Sequence, residues 1–367
     1  MKKILLPFAL LLSIGFMSCN KNNGDDNAPG TDSSLISTEK VVTQNFGQDI
    51  AFATYTDLKT AGDNINSTVI AFANAPDAAK LETAKTAWRN MRATWEQSEG
   101  FLFGPVEDNN YDPITDTWPT DLNEMDSLLA DNSNPLDSAS IENLPYSLRG
   151  YHPLEYMLWG KNSNKMLSEF TDRQKTYMKS LAADIKNQVT ANYNEWTGGY
   201  MTQVTTAGQG STYFPKFYDL FNNLNEGMIG ICNEVGKSDE GGGKIWEPFS
   251  ANGNHGDSTL VESPYSDNSM TDFKNNITGA YYVYIGKYKT QGKGLSDIVQ
   301  LSNKSLDLEI KNKFQTAINS FNNVNMSFEQ AIYLQRDQLQ NTIDAIGDVR
   351  DVLDTDLRAF LLEHIKN

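Results

Sequence analysis

The segment DAAKLETAKTAWRNMRATWEQSEG, residues 77–100, has the clearest helical pattern in the chain. Its apolar side chains recur at intervals of three and four residues, at Leu81, Ala84, Trp88, Met91 and Trp95. This spacing places them along one face of an α-helix. Asp77 is a suitable N-cap residue. We therefore predict a helix that begins after Asp77 and buries this face in a core.

Helical periodicity continues along most of the chain, whereas alternating strand patterns are hard to find. Further helices are predicted at about residues 38–73, 171–196, 213–236, 269–290, 305–323, 327–346 and 351–365. The periodicity breaks at GGYMTQVTTAGQGS, residues 198–211. We therefore predict an all-α fold of two helical bundles packed together, residues 37–205 and 206–367.

The N-terminus has the pattern of an export signal. Lys2 and Lys3 precede a mostly apolar run from Ile4 to Phe16, which is shorter than the about 20 residues of a membrane-spanning helix. Residues 1–18 are predicted to be a signal peptide. Cys19 follows, as in a bacterial lipoprotein cleavage site, so we predict a lipidated Cys19 and a flexible tether over residues 19–36. Simple secretion with a free thiol is the alternative.

These features predict a lipoprotein of the cell envelope. We expect it in the outer membrane, on the periplasmic side or at the cell surface, although the features themselves do not distinguish the outer from the inner membrane. Loss of Lys2 and Lys3 with the signal peptide changes the formal charge from −17 to −19. Such a charge argues against nucleic acid as a partner. Cys232 is the only cysteine besides Cys19, and we predict that it is a small buried residue.

Residues 238–258, SDEGGGKIWEPFSANGNHGDS, are rich in Gly, Asn, Asp and Ser. This composition predicts a long irregular loop. Loops of that length in compact proteins are usually functional or mobile.

Acidic residues occupy core positions at the end of the predicted helix over residues 77–100. Continuing its apolar stripe from Trp95 leads to Ser98 and Glu99, and Glu96 lies three residues before Glu99. If the helix persists, the two carboxylates are neighbours, and like charges so placed destabilise a helix. They would need a cation, shared protons or an arginine when buried.

Arg92 and Arg149 could supply that positive charge. The alternative is that the helix frays at Ser98 and both acids reach water, which Gly100 and Gly104 make plausible. The segment alone does not decide between these two interpretations.

His152 is one of three histidines in the chain, and Glu155 follows at a spacing of three. Pro153 disfavours a helical conformation at His152 and suits the first helical position, so a helix should begin there. Imidazole and carboxylate would then share one side of the helix start. Alternatively, Glu155 caps a backbone N–H and His152 packs against Tyr151 or Trp159.

One imidazole with several carboxylates would form an oxygen-rich site suited to iron, manganese or calcium, with zinc possible. The zinc-protease pattern H-E-x-x-H is absent because Pro153 follows His152. Two other functions stay open. One is a metallopeptidase that uses a carboxylate as general base, and the other is a cleft that binds haem, a peptide or a partner protein.

Gly150, His152 and Glu155 match the signature G-x-H-x-x-E, and the sequence resembles the imelysin family of exported bacterial proteins. Further segments resemble the family in the same order: WEQSEGFLFGPVED at 95–108, DTWPTD at 116–121, GYHPLEYMLWG at 150–160, VESPYSDNSMTDFKNNITGAYYVYIG at 261–286 and GKGLSDIV at 292–299. The resemblance covers essentially everything after the tether.

This resemblance implies two packed helical bundles with the signature near their interface, and a role in bacterial iron uptake with an outer-membrane or periplasmic partner. The family is also classed with metallopeptidases, because one founding member was described as insulin-cleaving. Related iron-uptake proteins share H-x-x-E and a preceding helix that ends in two glutamates. The implied metal ligands are His152, Glu155, Glu99 and Glu96.

Other residues are expected to line the site: Trp118, Asp121, Arg149, Gly150, Glu262 and Ser266. Asp121 has an alternative role, since with Glu124 it forms an ordinary capping box. Ser269 and Asp272 form a similar capping pattern. Glu262 and Ser266 lie in a loop without an obvious structural duty.

Overall fold

The computed structural model describes residues 33–366. The predicted signal peptide, Cys19 and most of the predicted tether lie outside the described residues. Within residues 33–366, none of the helices combines the length and the hydrophobicity that a membrane span requires.

Residues 33–366 form eighteen α-helices and no β-strand, which confirms the predicted all-α class. The first ten are α1 (Ser33–Asn45), α2 (Phe52–Asn74), α3 (Ala78–Ser98), α4 (Pro105–Asp108), α5 (Tyr111–Asp116), α6 (Leu122–Ala130), α7 (Ser138–Glu142), α8 (Tyr151–Trp159), α9 (Asp172–Glu195) and α10 (Met201–Thr205). The others are α11 (Phe217–Val235), α12 (Trp246–Asn254), α13 (Ser269–Ile285), α14 (Leu295–Ser302), α15 (Lys304–Ser320), α16 (Phe328–Leu334), α17 (Arg336–Val352) and α18 (Arg358–His364).

The helices pack as an N-terminal and a C-terminal group. In the first group, α2 packs against α3 and α9, and α8 lies against α3 and α9. In the second, α17 and its continuation pack against α11 and α15, and α13 packs against the same two helices. The groups meet where α3 and the turn after it contact α11 and α13. The boundary predicted after residue 205 falls at the end of α10, and the division into domains stays a prediction.

Glycines allow this close contact between the groups. A Cβ atom on Gly279 of α13 would lie 2.2 Å from the carbonyl oxygen of Gln97, and one on Gly227 of α11 would lie 2.4 Å from that of Gly100. Both distances are far below van der Waals contact. Only glycine therefore lets α11 and α13 approach the end of α3 so closely.

Several predicted boundaries in the C-terminal half were wrong. The helix predicted over 269–290 ends at Ile285, where Gly286 adopts a left-handed conformation typical of helix ends. The predicted break between residues 346 and 351 is absent, because buried Val349 and Leu353 carry the apolar face through α17 towards α18. The break lies instead at Gln335, between α16 and α17.

The predicted loop at 238–258 contains α12, which the sequence did not suggest. Trp246 and Phe249 lie one helical turn apart, with ring centroids separated by 6.0 Å, and Phe249 is buried beneath Arg336. This apolar contact buries one face of a short helix, within a segment whose composition had predicted a loop. Residues 251–253 then leave helical geometry.

Candidate functional site

The end of α3 directs two acids into the interior. Glu96 is 0 % and Glu99 is 4 % exposed. The helix does end at Ser98, but a turn of 3₁₀-helix over Glu99–Phe101 follows and keeps Glu99 buried. The alternative that both acids fray into water is therefore wrong.

Helix α8 begins earlier than predicted. It starts at Tyr151, so Pro153 occupies its third position and not its first. The first-turn N–H groups of a helix have no partner within the helix, and proline is tolerated there for that reason. Gly150 precedes α8 with a φ of +81°, and a Cβ atom there would lie 2.0 Å from the carbonyl oxygen of Thr115. Gly150 thus lets the end of α5, with Asp116, approach His152.

The imidazole of His152 lies between three carboxylates. Its Nε2 is 3.1 Å from Asp116 Oδ1 and 3.5 Å from Glu262 Oε1, and its Nδ1 is 3.3 Å from Glu155 Oε2. Glu155 Oε1 accepts hydrogen bonds of 2.7 Å from both the backbone N–H and the hydroxyl of Ser266. The alternative that Glu155 caps its own helix is therefore wrong.

Arg92 lies beside the same carboxylates. Its guanidinium forms short ion pairs with Glu96 and Asp116 and lies 3.3 Å from Glu262 and 3.5 Å from Asp272. The side chain is completely buried. Arg92 is thus the central cation of this buried cluster of carboxylates, and it supplies the positive charge that the sequence suggested for Arg92 or Arg149.

Asn276 of α13 links the two acids of α3. Its amide Nδ2 donates to Glu96 Oε2 at 2.6 Å and to Glu99 Oε2 at 2.5 Å. A residue of the C-terminal group therefore fixes both acids of the N-terminal group, which places the cluster at the contact between the two groups.

Lys244 supplies the second permanent positive charge. Its Nζ is 3.1 Å from Glu262 Oε2, 2.9 Å from Glu234 and 3.9 Å from Glu99. Lys244, Glu234, Glu262 and Asp116 all line a cavity of about 620 Å³ beside the cluster. The cavity gives the buried acids a route towards solvent.

The cluster carries more negative than positive charge. Its six carboxylate side chains are all buried: Glu96, Glu99, Asp116, Glu155, Glu262 and Asp272. Only Arg92 and Lys244 provide permanent positive charge among the side chains that contact them. Even a protonated His152 leaves an excess of negative charge.

The pKa values show how the protein carries this excess without a further cation. Burial raises the pKa of Glu96 to about 8, although Arg92 opposes the change. Burial and the neighbouring Glu96 raise the pKa of Glu99 well above its usual range. Burial disfavours the charged form of His152, but the adjacent carboxylates of Asp116, Glu155 and Glu262 raise its pKa well above normal. These shifts favour neutral Glu96 and Glu99 and a protonated His152, which lowers the excess of negative charge.

The donor set fits a metal ion. His152 Nε2, Glu96 Oε1 and Glu262 Oε2 are buried and make no hydrogen bond of acceptable geometry, although each lies within ion-pair distance of an oppositely charged group. Among the described residues, two groups place one ligand atom each within 4.8 Å of the others: Asp116, His152 and Glu262, and Glu96, Glu99 and Asp116. Oxygen donors with one imidazole suit iron and other hard or borderline cations.

Trp118 and Asp121 differ in their relation to the cluster. The ring of Trp118 packs edge-on to His152 with centroids 5.1 Å apart, and it also contacts Tyr265. Asp121 is exposed, and its carboxylate accepts a 2.9 Å hydrogen bond from the N–H of Glu124. Its contacts are those of a helix cap.

The hydrogen bonds of Arg149 join it to residues outside the carboxylate cluster. Its guanidinium binds Asp184 through two hydrogen bonds of 2.9 and 2.8 Å and donates a third to the carbonyl of Glu142. These bonds tie the start of α8 to α9. The expectation that Arg149 lines the site is corrected to a buried structural ion pair.

Sequence reasoning missed Asp116, Lys244 and Asn276, and it misassigned Asp272. Asp116 opens the segment DTWPTD, and Lys244 lies in the predicted long loop, a kind of segment that is usually functional or mobile, so partial signals existed. Asp272 does not form the expected capping box with Ser269. It accepts hydrogen bonds from Ser263 and Asn268 instead.

Comparison with known proteins agrees with these features. The family model for imelysin matches residues 51–355. Iron-regulated protein A of Synechococcus elongatus is 27 % identical over 266 residues, which cover 71 % of this chain and 67 % of that protein.

Two crystal structures share the fold. The one described as an iron-regulated protein A precursor from Parabacteroides distasonis has a TM-score of 0.80 at 26 % identity and covers 93 % of this chain and 97 % of its own. An imelysin-like protein from Psychrobacter arcticum has a TM-score of 0.69 at 14 % identity, with 89 % and 96 % covered, and supports the fold alone. The chain belongs to the imelysin family.

Proposed function

We propose that this protein binds a metal ion, iron, in the buried cluster at the contact between its two helical groups, as part of bacterial iron uptake. The observation that carries the proposal is the excess of buried carboxylates around one imidazole. Burying unpaired carboxylates costs several kcal/mol in effective terms. A multivalent cation would remove that cost without protonating Glu96 or Glu99. The names of the relatives from Synechococcus and Parabacteroides, which describe iron-regulated proteins, point in the same direction.

The proposed ligand set differs from the one expected from the signature. His152, Asp116 and Glu262 would hold the ion at the cavity side, because their ligand atoms converge and the cavity reaches two of them. Glu155 would position the imidazole, since one of its oxygens is taken up by Ser266 and the other faces His152 Nδ1. Such a partner on the second ring nitrogen is typical of metal-bound histidines.

Glu96 and Glu99 would complete the site on its inner side, with Asp116 shared between the two groups of ligands. Their carboxylates are already fixed by Asn276. Zinc and calcium are the other ions that this donor set would accept. Binding alone is proposed, and no reaction is required of the protein.

The cell envelope is the proposed location. Residues 1–18 would direct export, and lipidated Cys19 would hold the protein at the outer membrane through the tether. An uptake partner in the outer membrane or periplasm would exchange the metal with it. Labelling of the mature protein with a radioactive fatty acid, lost in Cys19→Ser, would test the anchor.

Metal binding can be tested by titrating the purified mature protein with ferrous, ferric, zinc and calcium ions. We expect one of the iron ions to bind most tightly, and we expect His152→Ala and Glu262→Gln to weaken it by at least about tenfold, since each loses a ligand. Asp121→Asn is the matched control, because it changes a nearby acid that only caps a helix. Equal binding by all four proteins would contradict the proposal.

A further inference from the structure

Two cations contact the buried acids, and they are held very differently. Arg92 is completely buried, and its guanidinium lies 5.1 Å from the ring centroid of Tyr151. The side chain of Lys244 is 19 % exposed and reaches the acids through the cavity. Arg92 is therefore enclosed by the core, whereas Lys244 borders the open space of the cavity.

The backbone beside Lys244 is anchored, so that only its side chain is free to move. The N–H groups of Lys244 and Ile245 donate to the carbonyls of Glu234 and Val235 at 2.6 and 2.9 Å. Gly243 permits this contact, because a Cβ atom there would lie 2.3 Å from the carbonyl oxygen of Gly236. The loop thus fixes the position from which the side chain of Lys244 extends.

The ammonium group of Lys244 lies between the buried acids and the solvent. Nζ contacts Glu262 and Glu99, whose side chains are nearly inaccessible, and also Glu234, whose side chain is 48 % exposed. Glu234 therefore offers the ammonium group an alternative partner at the cavity rim. A small rotation of the lysine side chain would exchange the buried partners for the exposed one.

We propose that Lys244 is a tethered counter-ion that a metal must displace from Glu262 and Glu99 onto Glu234. This inference rests on the proposed metal-binding function and names its selectivity device. A monovalent cation that replaces the ammonium group exchanges one positive charge for another, so the electrostatic contribution to its binding free energy is small. A divalent or trivalent cation adds net positive charge to a cluster that lacks it. Lys244 would thereby exclude sodium and potassium and admit iron.

The test compares Lys244→Met with the wild-type mature protein in anaerobic titrations with Fe²⁺. Removing the competing charge should tighten Fe²⁺ binding by at least about tenfold, because the interaction of charges a few ångströms apart in a poorly solvated site is strong. Lys237→Met is the matched control. It removes a lysine from the same loop whose ammonium group lies over the ring of Trp246, 3.9 Å from its centroid, and it should leave the affinity within about twofold.

Thermal unfolding in potassium chloride or choline chloride of equal ionic strength tests the selectivity. Potassium should stabilise Lys244→Met relative to choline and should not stabilise the wild type. Only in the variant do Glu262 and Glu99 lack the ammonium group, so that a small cation can bind beside them.

Lys244→Arg covers the case in which Lys244→Met does not fold. Arginine keeps the charge and binds carboxylates through two parallel hydrogen bonds, so it should be harder to displace and should weaken Fe²⁺ binding several-fold.

Failure of the inference differs from failure of the proposed function. If the wild type binds Fe²⁺ and Lys244→Met binds it equally or more weakly, Lys244 is a structural ion-pair partner and the inference is overturned, while the metal site stands. The inference is also overturned if Lys244→Arg binds Fe²⁺ as tightly as the wild type. If the wild type binds neither iron ion, both fail.

Discussion

Replacing Gly279 by alanine tests whether close helix packing assembles the cluster. The new methyl group would lie 2.2 Å from the carbonyl oxygen of Gln97, where ordinary contact begins at 3.4 Å. The helices α3 and α13 would have to separate by about 1 Å, because a backbone carbonyl cannot move aside as a flexible side chain can. Asn276 lies one turn before Gly279 on the same face of α13.

The same displacement would break the link between the two helical groups. The hydrogen bond from Asn276 to Glu96, now 2.6 Å, would lengthen to about 3.6 Å and be lost. Overpacking costs about 1–3 kcal/mol, and a lost hydrogen bond costs about 0.5–1.5 kcal/mol. The better helix propensity of alanine returns about 1 kcal/mol. We expect Gly279→Ala to destabilise the protein by about 0.5–3.5 kcal/mol.

Urea unfolding monitored by circular dichroism would measure the change, with Gly347→Ala as the control. Gly347 lies inside α17, and a Cβ atom there meets nothing within 4 Å. The control should therefore be stabilised by about 0.5–1 kcal/mol, since alanine is the better helix former and restricts the unfolded chain. If both variants shift the midpoint in the same direction, close packing at Gly279 does not hold the groups together and the reasoning is refuted.

Three further predictions concern other buried groups. Arg149→Met should lower the free energy of unfolding by about 3–5 kcal/mol by leaving Asp184 buried without its partner, and Arg149→Met/Asp184→Leu should recover most of that loss in the same urea assay. Burial raises the pKa of Glu39 to about 7, so its ionisation penalises the folded state as the pH rises from about 4.5 to 7; Glu39→Gln should be more stable than the wild type by about 2 kcal/mol at pH 8 and equal to it at pH 4. Burial also raises the pKa of Cys232 to about 12, so in a Cys19→Ser background a thiol reagent should label it only on unfolding, and rapid labelling of the folded protein would refute its burial.

The helices were predictable because helical periodicity is a local property of the sequence. The stripe from Leu81 to Trp95 specified α3, and the interruption of that stripe pointed to Glu96 and Glu99 as unusual acids. The spacing of His152 and Glu155 likewise indicated that they share one side of a helix start. In each case the informative residues are only a few positions apart along one helix.

The remaining members of the cluster come from irregular segments whose proximity depends on tertiary packing. Asp116 approaches His152 only because Gly150 lets the backbone of Thr115 come close. Lys244 reaches the acids from a loop that is anchored to the end of α11. No spacing rule links these positions, since the contacts that join them form between distant parts of the chain.

Among the described residues, the buried arginines Arg92 and Arg149 differ in how their charge is balanced. Arg149 pairs with Asp184 through two hydrogen bonds, so one cation neutralises one acid. Arg92 instead faces four carboxylates, those of Glu96, Asp116, Glu262 and Asp272. Buried ion pairs contribute little net stability even when they are balanced, so an excess of acids is costly to the folded state. A bound cation from outside the chain would neutralise the excess negative charge and so offset this free-energy cost. The Lys244 variants test that explanation directly.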